Sequence, residues 1–196
     1  MMTEKEKCHK GLLYDANYDE ELLRERAVCK DLCYEYNSLR PSMTAERTEI
    51  IRRLFGKTKC NFLIEQPFYY DYGYNIEIGE NFYMNVNCVI LDGAKITFGD
   101  NVFVAPNCGF YTAGHPLDAE KRNMGLEYAF PITVGNNVWI GANVSVLPGV
   151  SIGDDAVIGA GSVVTKNIPS GVLAAGNPCR VIRELTEEDK NKYRME

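Results

Sequence analysis

The chain has 196 residues, of which 45% are hydrophobic and 24% are charged, and its formal net charge is −6. This composition is that of a folded globular protein, and the negative charge argues against general binding to nucleic acid or anionic membranes, which needs a basic surface. No apolar run approaches the ~18 residues of a membrane-spanning helix, and the N-terminal segment MMTEKEKCHK lacks the apolar core of a signal peptide, so we expect a cytoplasmic protein.

The cysteine and histidine content argues against a disulfide framework and against a metal site. The seven cysteines are scattered without a C-x-x-C pair in a chain long enough to fold without cross-links, so we expect reduced thiols. Histidine occurs only twice, as His9 and His115, and neither lies at a ligand spacing from a cysteine. We therefore expect no metal ion.

Residues 1–57 are predicted to form an N-terminal helical cap. The stretches DEELLRERAVCKDLCYEYN and SMTAERTEIIRRLFG are rich in good helix formers and are separated by a break at Pro41-Ser42. Two helices with a short connection form a helical hairpin. Such a hairpin can cover the open edge of the domain that follows it.

Residues 58–185 are predicted to form a β-helix. Residues 132–167 repeat a pattern every six residues, as ITVGNN, VWIGAN, VSVLPG, VSIGDD, AVIGAG and SVVTKN. The third position is always β-branched, and glycine, asparagine and aspartate supply the positive φ or the tight corner that each turn needs. A mainly β fold follows, a parallel β-helix of triangular section with three hexads per coil. The alternative, a meander or sandwich of short strands, does not explain turns that recur at a fixed interval of six.

Three further segments depart from a perfect repeat. Residues 76–110 follow the hexads less regularly, and a shift of two residues at 92–95 predicts a small outward bulge; roughly five coils fit between residues 76 and 182. Residues 111–131 lose the period and are predicted to form an excursion loop, which in a regular solenoid is usually functional. Residues 186–196 are predicted to form a short helical cap beginning at Thr186.

His115 is the candidate general base. Histidine has a pKa near neutrality, so it is the usual side chain for removing a proton from a hydroxyl group during a reaction. His115 lies in the excursion loop, whereas His9 lies in a polar N-terminal segment. The alternative is a structural histidine without a catalytic role.

Small, basic and aromatic residues suggest a binding groove. Residues 18 apart stack in such a coil, so Ala142 and Ala160 form a column beside which an extended pantetheine chain could lie; the alternative is that alanine merely suits a tight turn. Charged and polar residues at the C-terminal end of the column are candidates for binding phosphates, or else form a solvated face: Thr165, Lys166, Arg180 and Arg183. Trp139 and Val157 face outward together, as expected for a subunit interface that also forms a ligand wall.

These motifs together resemble the maltose and galactoside O-acetyltransferases, which are hexapeptide-repeat acyltransferases. The resemblance covers nearly the whole chain and includes LLYDANYDEELLRER, DYGYNIEIGENFYMNVNCVILD, GHP, GAGSVVTK and AAGNPCRVIRE. It implies a left-handed β-helix, a homotrimer with sites between subunits, and an N-terminal cap on the acceptor side.

The resemblance also implies roles for individual residues. It makes His115 the general base, with Asn85 beside it at the acceptor. The acetyl-CoA site is implied to include Trp139, Ala142, Ala160, Thr165, Lys166, Arg180 and Arg183. The sugar site is implied to include Asp15, Arg24, Tyr83, Asp92 and Glu127. Gly93 stands where some relatives have a second acidic residue, and Glu127 where a galactoside-specific relative has an apolar one, so the identity of the sugar stays open.

The predicted reaction is direct transfer of acetyl from acetyl-CoA to a hydroxyl of a small sugar of the maltose, glucose or galactoside type. A backbone N–H near Ala142, together with Asn85, would hold the developing oxyanion. Two alternatives remain: an acetyltransferase with a non-sugar acceptor such as serine or an antibiotic, and a catalytically silent β-helix that serves as a binding scaffold.

Overall fold

The structure, a computed structural model, describes residues 2–193, so residues 194–196 of the predicted C-terminal cap lie outside the described part. Within that part the elements follow one another in the order α1 (Glu4–His9), β1 (Tyr14–Asp15), α2 (Glu20–Ser38), α3 (Thr44–Leu54), β2 (Phe62–Ile64), β3 (Phe68–Tyr70), β4 (Ile76–Glu77), β5 (Phe82–Met84), β6 (Cys88–Leu91), β7 (Ile96–Phe98), β8 (Phe103–Val104), β9 (Gly109–Tyr111), β10 (Ala113–Gly114), α4 (Ala119–Asn123), β11 (Leu126–Ala129), β12 (Ile132–Val134), β13 (Trp139–Ile140), β14 (Ser145–Val146), β15 (Ser151–Ile152), β16 (Val157–Ile158), β17 (Val163–Val164), β18 (Val172–Ala175), β19 (Arg180–Glu184) and α5 (Glu187–Lys190).

Three parallel sheets form the sides of a β-solenoid. The first sheet has the order β15-β12-β7-β4, the second β19-β18-β16-β13-β8-β5-β2 and the third β17-β14-β9-β6-β3, with only β19 antiparallel to its neighbour. From β2 to β9 and from β12 to β18, consecutive strands lie on different sheets, which confirms the predicted solenoid and rules out the meander. The second sheet shows six coils in the described residues. Five of them lie beyond residue 76, as predicted; the first, built from β2 and β3, lies within the predicted range of 58–185 although its sequence has no hexad pattern.

The corners use asparagine in a left-handed conformation. Four corner residues that stack on one another have φ between 53° and 57°: Asn81, Asn101, Asn137 and Asp155. The side-chain amide of each asparagine donates a hydrogen bond of 3.0 Å to the side-chain oxygen of the next residue in this order. The glycines at the fourth position of the hexads, Gly135, Gly141, Gly153 and Gly159, serve instead where the chain approaches the next coil closely. A Cβ on Gly141 would lie 2.7 Å from the Ala160 nitrogen, so the tight-corner role predicted for these glycines is the correct one.

The coil length changes along the solenoid. Trp139 pairs with Val157, 18 residues on, whereas Tyr83 pairs with Phe103, 20 residues on. The two extra residues lie at 92–95, where the bulge was predicted, and a second bulge of the same size lies at 71–75. The excursion adds 18 more residues between Phe103 and its partner Trp139. All three insertions occur at the corner between the third and first sheets, which we call the insertion corner (residues 71–75, 92–95 and 112–131).

The interior of the solenoid is apolar and contains a column of aromatic rings. Phe82, Phe98 and Phe110 are buried, with successive ring centroids 5.0 Å apart. These side chains are contributed by all three sheets at adjacent levels. Burial of this core supplies the main driving force for winding a chain with such short strands.

The predicted helical hairpin is present as α2 and α3, and it covers the first coil. The Tyr36 hydroxyl and the Arg47 guanidinium both donate to the Ile64 carbonyl at the end of edge strand β2. Cys29 and Cys33 on α2 join the core of the solenoid. These contacts satisfy backbone groups that an open solenoid edge would leave unpaired.

The N-terminal segment also reaches beyond the first coil, through two elements that were not predicted. Helix α1 precedes β1, and β1 pairs antiparallel with β11 in the excursion. A second small core joins them to the insertion corner; it consists of Cys8, Tyr14, Ala16, Leu22, Tyr72, Ala94 and Ala129. The N-terminal segment is therefore a structural part of the loop that carries His115.

At the other end, β19 folds back along β18 and α5 begins after the N-cap residue Thr186, as predicted. Among residues 2–193 the structure has no helix that is both long and apolar enough to cross a membrane.

Candidate active site

The excursion is a small antiparallel sheet rather than an irregular loop. Strand β11 pairs with β10 on one side and with β1 on the other, and α4 connects β10 to β11. Gly114 lies opposite Tyr128, and a Cβ on Gly114 would lie 2.5 Å from the Tyr128 hydroxyl. Only glycine lets this ring pack against the backbone immediately before His115.

His115 is held through one ring nitrogen. Its Nδ1 lies 3.0 Å from the Leu126 carbonyl oxygen, a contact that requires a proton on Nδ1. In the neutral ring, Nε2 then carries the free lone pair. Nε2 lies 3.7 Å from Oε1 of Glu127, and 47% of the His115 side chain is exposed. In this geometry Nε2 can accept a proton from a molecule that enters from solvent.

Asp15 and Glu127 are brought to the same sheet as His115. Asp15 lies opposite Leu126 across β1 and β11, and its Oδ1 accepts from the backbone N–H groups of Asn17 and Tyr18. The Glu127 carboxylate accepts from the Tyr14 hydroxyl over 3.2 Å. Two of the residues predicted to meet the acceptor therefore lie beside the candidate base.

Asp92, which together with its neighbours was predicted to meet the sugar, does not lie on the surface. It is fully buried, and its Oδ1 accepts from the backbone N–H groups of Asp71 and Tyr72. Burial raises its pKa to about 6. Asp92 thus supports the turn at 71–75 from inside, and the partly exposed carboxylate at this corner is Asp71, whose pKa is also raised by burial.

Arg24 lies on the exposed side of α2, and its contact with the sugar stays a prediction. Arg26, two residues on, points to the insertion corner: its guanidinium lies 6.0 Å from the centre of the Tyr72 ring and donates to the Ala16 carbonyl. The helical period could have revealed this, because Arg26 is four residues after the buried Leu22, on the face turned to the core. Arg24 is only two residues after it.

The predicted column of small residues lies at a different corner, between the second and third sheets. In register order the positions are Asn85, Ala105, Gly141, Gly159 and Ala175, with Ala142 and Ala160 directly after the two glycines. The Ala142 N–H has no acceptor within residues 2–193. The Asn85 Oδ1 accepts from the Val86 N–H, which leaves the amide NH2 available as a donor.

An apolar column runs along the outer side of the second sheet. Trp139 and Val157 face outward as predicted, and the same stack continues in both directions through Leu63, Tyr83, Phe103, Trp139, Val157 and Leu173. Trp139 is 56% exposed and Phe103 49%. The corresponding outward positions of the first sheet are polar, as in Thr97, Thr133 and Ser151.

The four basic or polar residues predicted at the end of the column do not lie together. Arg180 lies opposite Ala175, at the top of the column, and Arg183 lies opposite Leu173 on the second sheet. Arg183 forms a bidentate ion pair with Asp189, in which both hydrogen bonds are 2.7 Å long. This ion pair raises the pKa of the guanidinium. Thr165 and Lys166 follow β17 at the insertion corner.

His115 and Asn85 therefore lie at different corners of one chain. A side of the solenoid, six residues long, spans up to about 20 Å. One chain thus places the candidate base at one corner and the small-residue column at another.

Comparison with known proteins agrees with this architecture. The maltose acetyltransferase hexapeptide capping motif matches residues 7–59, and the bacterial transferase hexapeptide matches residues 131–166 as six repeats. The galactoside O-acetyltransferase of Escherichia coli is 51% identical over 174 residues, 89% of this chain and 86% of that protein. This chain belongs to the maltose and galactoside O-acetyltransferase family.

Solved structures and further relatives of this family support the assignment. A galactoside acetyltransferase in complex with coenzyme A superposes with a TM-score of 0.93 at 48% identity, covering 97% of this chain and 94% of that one. A maltose O-acetyltransferase from Clostridium difficile has a TM-score of 0.92 at 52% identity, with 95% and 99% covered. A Saccharomyces cerevisiae protein named as a candidate acetyltransferase is 60% identical over 91% of each chain. The chain is thus an acetyltransferase. Residues 2–193 contain no group of three or more histidine, cysteine, aspartate or glutamate side chains that could hold a metal.

Proposed function

We propose that the protein transfers acetyl from acetyl-CoA to a hydroxyl of a small sugar, of the maltose, glucose or galactoside type, in the cytoplasm. The observation that carries the proposal is the imidazole of His115, bound at Nδ1 by the Leu126 carbonyl and free at Nε2. The relatives named for galactoside and maltose support a sugar as acceptor.

The chemistry needs one base and one oxyanion site. Nε2 of His115 takes the proton of the sugar hydroxyl while the hydroxyl oxygen attacks the thioester carbonyl. The Ala142 N–H and the Asn85 amide donate to the oxyanion of the tetrahedral intermediate. The C–S bond then breaks, the His115 imidazolium returns its proton to the leaving thiolate, and free coenzyme A and the acetyl ester result. The cysteines form no acyl intermediate.

Small residues fit the predicted path of the acetyl-CoA pantetheine arm. The corner formed by Gly141, Ala142, Gly159 and Ala160 has no bulky side chain, so an extended chain can approach the backbone. Trp139 forms a wall on the adjacent face. Four residues contribute to binding of the coenzyme A phosphates: Thr165, Lys166, Arg180 and Arg183. Arg180 comes from the top of the column, and Lys166 comes from the insertion corner of a second chain.

The base and the small-residue column lie at different corners of one chain. This placement supports a homotrimer of left-handed solenoids in which each site lies between two chains. The apolar column on the second sheet is too large a surface to leave exposed on a monomer and would be covered by a threefold arrangement. The insertion corner of one chain then faces the small-residue corner of its neighbour. The acceptor lies between them, near Asp15 and Glu127 from one chain and Tyr83 from the other. Arg24 from α2 remains a predicted contact of the sugar; Arg26 is added to it, and Asp71 replaces the buried Asp92.

The test is an acceptor panel assayed by release of the coenzyme A thiol from acetyl-CoA. It contains maltose, glucose, galactosides, serine and hydroxyl-bearing antibiotics. We expect turnover with at least one sugar, and at least ten times less with serine or the antibiotics. Preference for a non-sugar would replace the sugar assignment, and absence of thiol release with every acceptor would support a binding scaffold.

A further inference from the structure

We propose that Tyr14, in the N-terminal segment, is a positioning residue for the base. Its hydroxyl holds the Glu127 carboxylate beside Nε2 of His115, where the carboxylate stabilises the imidazolium that forms during transfer. This inference rests on the proposed function, and it assigns to the N-terminal segment a role beyond covering the first coil.

The backbone fixes Tyr14 and Glu127 opposite each other. They are register partners on the antiparallel strands β1 and β11, where side chains on one face lie within about 5.5 Å at Cβ. The Tyr14 hydroxyl is 3.2 Å from Oε2 of Glu127. Tyr14 is 2% exposed, and burial raises the pKa of its hydroxyl above the ordinary value. The hydroxyl therefore keeps its proton and can donate to the carboxylate at any physiological pH.

The remaining oxygen of Glu127 faces the base. Oε1 lies 3.7 Å from Nε2 of His115, too far for a hydrogen bond but close enough for a strong interaction between opposite charges. The Nε2 lone pair thus stays free to accept a proton from the acceptor. Two successive residues of β11 act on the ring: Leu126 orients it through its carbonyl, and Glu127 stabilises its charged form.

The surroundings favour this role for Glu127. Its side chain is 16% exposed, so solvent screens its charge less than that of a surface carboxylate. The charged groups on the neighbouring elements β1, α1 and α4 are Asp15, Glu4, Lys5, Glu6, Lys7, Glu120, Lys121 and Arg122. Arg122 donates to the carbonyls of Pro116 and Leu117. The other titratable groups nearby are His9 on α1 and, in the small core around Tyr14, Cys8 and Tyr72. During transfer the proton passes from the acceptor to Nε2 and then to the thiolate, so Glu127 takes no part in the proton transfer itself.

A double-mutant cycle tests the proposal in the full chain, with Tyr14→Phe, Glu127→Leu and the combined variant. We expect each single change to lower kcat about tenfold with an unchanged KM for acetyl-CoA, because the imidazolium forms only after binding. The combined variant should be no slower than Glu127→Leu, since Tyr14 acts through Glu127. Effects that multiply would overturn the proposal.

Tyr36→Phe is the matched control. Tyr36 is also buried, at 1% exposure, and its hydroxyl donates over 2.6 Å to the Ile64 carbonyl, on the first coil. We expect it to lower stability at least as much as Tyr14→Phe while leaving kcat within twofold. Equal losses of kcat in the two variants would mean that Tyr14 has only a structural role.

A second measurement needs no acceptor. In a His9→Gln background, His115 is the single histidine, and diethyl pyrocarbonate modifies only unprotonated imidazole. At one fixed pH near 7 we expect Tyr14→Phe and Glu127→Leu to speed the modification of His115 at least twofold, and Tyr36→Phe to leave the rate unchanged. An unchanged or slower rate in Tyr14→Phe and Glu127→Leu overturns the proposal even where no acceptor is turned over. A faster rate without any sugar turnover would leave the positioning role standing and remove the proposed function.

Discussion

The buried carboxylate of Asp92 accepts a hydrogen bond from the backbone N–H of Tyr72 over 2.9 Å, across two adjacent coils at the insertion corner. The second carboxylate oxygen, Oδ2, is buried without a hydrogen-bond partner within the described residues. When the Asp92 carboxylate is ionised, its unpaired oxygen leaves part of the free-energy cost of removing the charge from water uncompensated. This corner is therefore the part of the fold whose stability depends most directly on the protonation of one side chain.

The first prediction concerns this pH dependence. The pKa of Asp92 is about 6 in the fold and 3.8 unperturbed, so its protonated form favours folding. Its contribution is fully present below about pH 4 and is lost as the pH rises through about 6, a loss of roughly 3 kcal/mol at most. Asp92→Asn keeps the accepting oxygen and removes the charge. We expect the variant to match wild type near pH 4 and to exceed its free energy of unfolding at pH 7.

Chemical denaturation at both pH values measures that difference. Asp31→Asn, on the exposed side of α2, is the control and should leave the pH dependence unchanged. An Asp92→Asn protein less stable than wild type at pH 7 would show that the negative charge is needed at this corner.

The second prediction concerns the base. His115→Ala should slow turnover by about 10²- to 10⁴-fold, because it removes the proton acceptor while leaving the pairing of β10 with β11 in place. His9→Ala, at the end of α1, is the control and should retain full turnover. Steady-state kinetics together with circular dichroism check both. Retention of more than a third of the turnover by a folded His115→Ala protein would contradict the assignment.

The third prediction concerns the small-residue corner. Ala160→Leu places a branched side chain beside Gly141 and should raise the KM for acetyl-CoA at least tenfold more than the KM for the sugar. Ala27→Leu adds the same volume on an exposed position of α2 and should change neither constant. Equal effects of Ala160→Leu on both constants, measured by initial rates, would show that the alanine serves only the turn.

The fourth prediction concerns assembly. Trp139→Glu introduces a charge into the apolar column and should shift the protein from trimer toward monomer in sedimentation. Thr133→Glu introduces the same charge on the polar first sheet and should leave the trimer intact. A wild-type protein that is a fully active monomer would end the proposal of shared sites.

Subunit mixing tests the shared site itself. His115→Ala protein and a variant carrying both Ala142→Leu and Ala160→Leu should each be nearly inactive alone. After subunit exchange, the mixture should recover activity, because some interfaces then combine an intact base with an intact small-residue corner. If both halves came from one chain, the mixture would stay inactive.

The periodic part of the fold follows from the sequence because its period is local. The third-position residues from Val134 to Val164 alternate with polar corners every six residues, and each strand needs only its own hexad to define which side chain is buried. The helical hairpin follows for the same reason, from helix formers on either side of a proline. The outward direction of Trp139 also follows, since it depends only on the strand alternation.

Tertiary structure alone decided how the site is assembled. Residues 62–70 form a coil without a hexad pattern because α2 and α3 cover them and the neighbouring coil supplies their hydrogen bonds. The pairing of β1 with β11, which joins Tyr14 to Glu127, links positions 113 residues apart, and no local pattern records such a contact. The same is true of Asp92, whose acidic side chain suggests a surface residue, although two backbone N–H groups from the preceding coil hold it inside the fold.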